Sequence, residues 1–184
     1  METAGRSPQE KRKGREMKKI SLSLMLAAAL CACSPQYDWR DYRSNDAPYA
    51  VLFPGKPASQ TRAIQLDGMD VSMTMTAAEV NGVVFAVGSA QLADAAKGPA
   101  AIEAMKTALV NNIGATVTGN KSSVDGKQST LEVEAKGSQN GEAMRLIGRF
   151  IAKDKRIYQV IVMGRDKNIV QDEVETYLSS FKLN

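Results

Sequence analysis

A chain of 184 residues carries 24 Lys and Arg against 20 Asp and Glu and no histidine, which removes Ser-His-Asp and Cys-His catalysis, His-ligated zinc and a histidine pH switch together. The positive excess lies in residues 1–32, with seven Lys/Arg and three Asp/Glu, so residues 33–184 hold seventeen of each. A nucleic-acid footprint needs clustered excess Lys and Arg in the folded part, so no nucleic-acid partner is expected.

Residues 1–16, METAGRSPQEKRKGRE, are polar and lack apolar periodicity. They read as an N-terminal extension, with translation expected from Met17. Arg12 is followed by Lys13, so no twin-arginine signal is present. Met17–Cys33 reads MKKISLSLMLAAALCAC: a charged start at Lys18 and Lys19, an apolar run Ile20–Leu30, and a small-residue boundary at Ala32-Cys33. That is the layout of a secretory signal peptide, and it is too short for a membrane span. Leu30-Cys31-Ala32-Cys33 resembles a bacterial lipobox, in which the final Cys becomes the lipidated first residue. Lipidation at Cys31 would place Leu30 where a small side chain is wanted, so Cys33 is the lipidation candidate. The other readings are an ordinary signal peptide cut near Ala32, or a buried core helix. Each buried acyl methylene contributes about 0.8 kcal/mol, so two or three chains hold firmly where one holds only marginally. By resemblance to envelope sorting in Gram-negative bacteria, where Asp after the lipidated Cys retains a protein in the inner membrane, Ser34 implies the outer membrane. Residues 17–32 are thus expected to be a lipoprotein signal peptide. Cys31 and Cys33 are the only cysteines, so the processed chain would have no internal disulfide.

Residues 33–47 read as a lipidated tether in which Tyr37, Trp39 and Tyr42 alternate with Asp38, Arg40, Asp41 and Arg43. Trp39 and Tyr42 are candidate partner-binding residues, because Trp and Tyr suit interfaces. The alternative is that they pack on the domain as its first turn or strand. A single domain is expected over 48–184. Tyr49–Phe53 reads as a strand, followed by the Pro54-Gly55-Lys56-Pro57 turn. A second strand is expected at 59–66, ended by Asp67-Gly68. Val71–Ala77 alternates apolar and polar, which predicts a half-buried strand. Asn81-Gly82 is a strong hairpin signal, and Val83–Ala90 is too apolar for an exposed edge, so it should lie inside the sheet. A helix follows Gly98, with Pro99 in its first turn, Ile102, Met105, Leu109 and Ile113 on one face, and Gly114 closing it. Residues 115–123 are a further candidate strand. Three strands should follow near 127–136, 142–153 and 156–164, separated by Asn140-Gly141 and Lys153-Asp154-Lys155. A second helix is expected over about Ile169–Phe181, burying Val174, Leu178 and Phe181 as one stripe.

Strands, one helix, more strands and a last helix make an α+β order with no βαβ alternation. The Phe53-Pro54-Gly55-Lys56-Pro57 turn, Arg156-Ile157-Tyr158-Gln159-Val160 and Tyr177-Leu178-Ser179-Ser180-Phe181 resemble small exported bacterial proteins with a PsbP-like α/β/α sandwich. The resemblance implies an antiparallel sheet packed by an internal helix and a C-terminal helix. It also implies adaptor or assembly roles without a shared catalytic residue.

Four constellations are candidates for chemistry. Met69, Met73 and Met75 share a strand face and offer soft sulfur for Cu(I). They have no His or Cys beside them, and core packing explains them. Glu132 and Glu134 share the polar face of a strand, where nothing separates their environments into acid and base. Asp172, Glu173 and Glu175 complement a helix dipole. Arg145 and Arg149, about 13 Å apart along a strand, form with Lys153 a candidate stripe for an anionic partner, or a solvent face balanced by Glu132 and Glu134 across the strands. No catalytic residue, metal or cofactor is expected. The reading is a non-enzymatic binding or assembly module, held to the membrane by its lipid and facing an envelope protein partner. The alternatives are a carrier of an apolar ligand, or an enzyme using carboxylates or Tyr158.

Overall fold

The computed structural model describes residues 36–184. Residues 1–35 lie outside it, including the signal segment and Cys33. From Tyr37 to Asn184 the chain packs as one unit.

Ten strands and two helices make up this unit. In chain order they are β1 (Arg40–Arg43), β2 (Tyr49–Phe53), β3 (Ala58–Leu66), β4 (Met69–Val80), β5 (Val83–Gln91), α1 (Gly98–Asn112), β6 (Thr116–Asp125), β7 (Gln128–Gln139), β8 (Glu142–Lys153), β9 (Arg156–Arg165), α2 (Gln171–Ser180) and β10 (Lys182–Leu183). Seven of the strands form one sheet in the order β3-β4-β5-β9-β8-β7-β6, and every adjacent pair is antiparallel. A smaller sheet has the order β1-β2-β10.

Tight turns set the registers of the large sheet. At Asp67-Gly68, Asn81-Gly82 and Asn140-Gly141 both central residues have positive φ. That is the type I′ geometry whose twist matches the flanking strands. β5 is buried along nearly its whole length and lies inside the sheet, between β4 and β9. After β5 the chain leaves the sheet for α1, builds β6, β7 and β8, and returns to pair β9 against β5.

α1 begins with Pro99 in its first turn, after a single 3₁₀ turn (Ala95–Lys97) capped by the Asp94 carboxylate. It ends in a Schellman motif: Gly114 N–H donates to Asn111 O (3.0 Å) and Ala115 N–H to Val110 O (3.0 Å), with Gly114 at φ +58°. α1 covers one face of the sheet, burying Ala101, Ile102 and Met105 against Val133, Leu146, Phe150, Ile157 and Ile161. The other face carries α2 and the small sheet, with Tyr49, Phe53, Phe85, Val87, Tyr158, Val160, Val174 and Tyr177 in a second core. These faces follow from strand parity: on β9, Ile157 and Ile161 belong to the first core, and Tyr158, Val160 and Val162 to the second.

Two expectations are corrected. The segment 33–47 is not a tether throughout, because β1 pairs with β2 in the register Arg40 to Phe53 and Arg43 to Ala50. Apolar contact with the second core from Tyr37, Trp39 and Tyr42 draws it in. The last helix is also shorter than Ile169–Phe181. Asp166–Asn168 forms a 3₁₀ turn, Val170 is extended, and Phe181 (φ −67°, ψ 126°) already leads into β10. Phe181 is therefore half-buried and sits outside the helical stripe, stacked on Tyr49 at 5.6 Å between ring centroids. Val174, Tyr177 and Leu178 form the buried face instead.

Candidate functional site

The large sheet is wider than what covers it on the α2 side. α2 and the small sheet lie over its middle strands, and β7 and β6 run out beyond them. Strand alternation puts Glu132, Glu134, Arg145, Ile147, Arg149 and Ile151 on this face, with Ile151 buried in the second core and the others partly exposed.

Glu132 and Arg149 stand directly opposite in the β7–β8 register. Arg149 Nε donates to Glu132 Oε1 at 2.9 Å, and its Nη1 reaches Leu178 O in the last turn of α2 at 3.1 Å. Helix-terminal carbonyls have no partner inside their helix, and a cation there also suits the dipole. Arg145 repeats the device nearer the start of α2. Its Nε donates to Glu134 Oε1 at 2.9 Å and lies 4.0 Å from Asp166 Oδ1, and its Nη2 reaches Gln171 Oε1 at 3.4 Å. Both arginines thus tie the helix to the sheet, and each glutamate is engaged by one of them. Truncating Arg149 to alanine should cost about 1–2 kcal/mol, the scale of a charged hydrogen bond discounted for partial exposure. Arg149→Lys should recover only part of that, lacking the fork that reaches both partners. Urea melts of the three proteins check this, and indistinguishable midpoints would mean that Arg149 is free in solution.

Beside these pairs runs an open groove. One half, about 320 Å³, lies between Lys121, Asn120 and Ile147 on the sheet and Leu178 on α2. The other, about 510 Å³, is lined by Gln128, Thr130, Ile151, Lys153 and Phe181. Glu132 and Arg149 border both halves. The half beside Lys121 has an apolar floor within a charged rim, suited to a binding surface, and the other half is more polar. Ile147 and Ile151 were missed as site residues. Their signal lay in β8 itself, which places apolar residues at both parities, as a strand with one partly covered face must. Edge strand β6 is exposed along all of its length, with a register shift between Val117 and Gly119.

Trp39 and Tyr42 stand at the β1 edge of the small sheet, and neither lines this groove. Tyr37 and Trp39 stack on each other at 6.1 Å and each meets Phe85 edge-on. Tyr42 packs edge-on against Phe53 at 5.5 Å. All three rings are half-buried, so one side of each is used in packing and the other meets solvent. The structure therefore does not bring Trp39 and Tyr42 together with Arg145 and Arg149.

The methionines and Tyr158 serve packing. Met73 is buried in the α1-side core, Met69 and Met75 pack against it, and the Met75 sulfur accepts from Gln159 Nε2 at 3.3 Å. Tyr158 is 2% exposed. Burial raises its hydroxyl pKa, an effect partly opposed by the nearby charge of Arg156. Among the described residues no group of three or more His, Cys, Asp or Glu could hold a metal, and no helix is long and apolar enough to cross a membrane.

No family model matches the chain, and no curated protein matches it. Its fold is found among solved structures. The solution structure of cyanobacterial PsbP (CyanoP) from Synechocystis superimposes with a TM-score of 0.52 at 11% identity, covering 83% of this chain and 96% of that one. A crystal structure from Bacteroides thetaiotaomicron gives a TM-score of 0.47 at 11% identity, over 79% of this chain but 48% of the other, so this chain spans about half of that protein. The fold is the PsbP-like α+β arrangement that the sequence resemblance implied.

Proposed function

We propose that this protein is a lipid-anchored envelope protein acting as a non-enzymatic binding or assembly module. One observation carries the reading: the segment Met17–Cys33, with its charged start, apolar run and lipobox-like end, stops four residues before Tyr37, where the domain begins. At no more than about 3.6 Å per residue, lipidation of Cys33 would hold Tyr37 within roughly 14 Å of the anchored sulfur. The domain would sit against the membrane surface, with Ser34 directing it to the outer membrane.

The described chemistry supports binding over catalysis. Glu132 and Glu134 are each engaged by an arginine, and Tyr158, the hydroxyl considered for an enzyme, has its pKa moved away from neutrality by burial. The grooves beside α2 open to solvent, as a contact surface for an envelope protein partner does and an enclosed apolar carrier pocket does not. Cys33→Ser is the test. Growth with labelled palmitate should mark the wild-type chain and leave the variant unlabelled, as an unprocessed precursor or a soluble species. A variant that still takes up label and still partitions into the detergent phase would overturn the reading. Acylated protein fractionating with the inner membrane would overturn the outer-membrane assignment alone.

A further inference from the structure

Three segments converge at the end of the molecule opposite Tyr37. Tyr37 lies near Phe85 and Pro54, since the rings of Tyr37 and Phe85 meet and Asp38 N–H donates to Pro54 O. From Phe85, β5 runs six residues to Gln91, about 20 Å at the usual rise per residue. There Leu92 N–H donates to Lys155 O (2.7 Å) in the β8–β9 turn, and Asn184 N–H donates to Pro48 O (3.0 Å) where β10 meets β2. These bonds frame a cavity of about 390 Å³ between the two sheets.

This cavity shares Lys153 with the groove beside α2 but adds two further cations. Lys153, Lys155 and Arg156 all border it, against the carboxylate of Asp154 and the terminal carboxylate of Asn184, with Gln91 and Tyr158 beside them. Among the described residues, ion pairs hold Arg40, Lys106, Lys136, Arg145, Arg149 and Lys167, and none involves these three cations. The guanidinium of Arg156 donates to the carbonyl of Asp46 at 3.3 Å, a contact that positions it without cancelling its charge. The tip of a hairpin needs polarity, but not three cations around one concavity. A concave wall with an excess of one charge focuses the field on whatever enters it.

We propose that this cavity binds a small soluble anion bearing a carboxylate or phosphate group. Arg156 supplies the planar fork that such groups match, and the two lysines supply mobile charge. At roughly 30 Å³ for each displaced water, the space takes a ligand of on the order of a dozen non-hydrogen atoms. The inference deepens the binding-module reading and rests on it.

Equilibrium dialysis of the full-length, detergent-solubilised protein against labelled inorganic phosphate and labelled succinate tests it. Saturable binding of at least one probe is expected, weakening at about 0.5 M salt as screening shortens to a few ångströms. Lys153→Gln/Lys155→Gln/Arg156→Gln should bind at least about tenfold more weakly. The double variant Lys153→Gln/Lys155→Gln, which keeps the Arg156 contact with Asp46, should lose part of that affinity. Lys56→Gln/Arg62→Gln, altered outside the cavity and the groove, should bind as the wild type does. Preference for phosphate assigns a phosphoryl ligand, and preference for succinate a carboxylate. No saturable binding of either probe, or equal binding by the triple variant, overturns the proposal. Loss of acylation in Cys33→Ser would leave this outcome unchanged, so the two readings fail separately.

Discussion

Tyr177→Phe should make the fold more stable by about 1 kcal/mol, and Tyr177→Ala should weaken it by about 3–5 kcal/mol. The ring is 0% exposed and lies between Phe53 (5.8 Å, 45°) and Phe85 (5.3 Å, 82°), with α2 above and the sheet below. Its hydroxyl is buried and has no hydrogen-bond partner among the described residues. A buried, unmet polar group costs about 1–3 kcal/mol. Phenylalanine keeps the packing and removes that group, whereas alanine leaves a cavity at the point where α2 seats on the sheet. A domain of this kind has a total stability on the order of 5–15 kcal/mol, so the alanine variant should stand close to unfolding. Urea melts decide. A phenylalanine variant less stable than wild type by 1 kcal/mol or more would mean that the hydroxyl is bonded in solution.

The same residue predicts how stability responds to alkali. Burial raises the Tyr177 hydroxyl well above its ordinary pKa of 10.0. Burial raises Tyr49, Tyr158 and Tyr37 too. In the unfolded chain a tyrosine loses its proton near pH 10, while the folded protein keeps it, so above that pH the unfolded state binds fewer protons. Stability is then fully present below about pH 10 and falls as pH rises beyond it, by at most about 1.4 kcal/mol per pH unit for Tyr177. Lysine titration also changes in this range, so the informative quantity is the difference between wild type and Tyr177→Phe. It should stay constant from neutral pH to about 10 and then widen in favour of the variant. A difference that stays level to pH 11 would place the folded Tyr177 pKa at its ordinary value.

Local signals carried far in this chain because its hairpins are short. Asp67-Gly68, Asn81-Gly82 and Asn140-Gly141 determine where strands reverse, since only residues tolerant of positive φ fit those turns. Pro99 and Gly114 bracket α1 by the same logic of backbone freedom. The alternation of Leu131, Glu132, Val133 and Glu134 determines which face of β7 is buried. The α+β class followed from these elements and their order. What lay beyond local reach was set by partners distant in the chain. Residues 40–43 become a strand only because β2 offers an open edge and the second core accepts Tyr37, Trp39 and Tyr42. Phe181 leaves the helix because β10 must turn to pair with β2, a hydrogen-bonding demand that outweighs the 4 and 3 spacing of Val174, Leu178 and Phe181. The cavity at the β8–β9 turn is the clearest case. Lys153, Lys155 and Arg156 are plain in the sequence as a polar turn, but only the return of β9 to β5 and of β10 to β2 sets Gln91, Pro48 and Asn184 around them. A concave wall is a property of segments brought together, and no single stretch of sequence contains one.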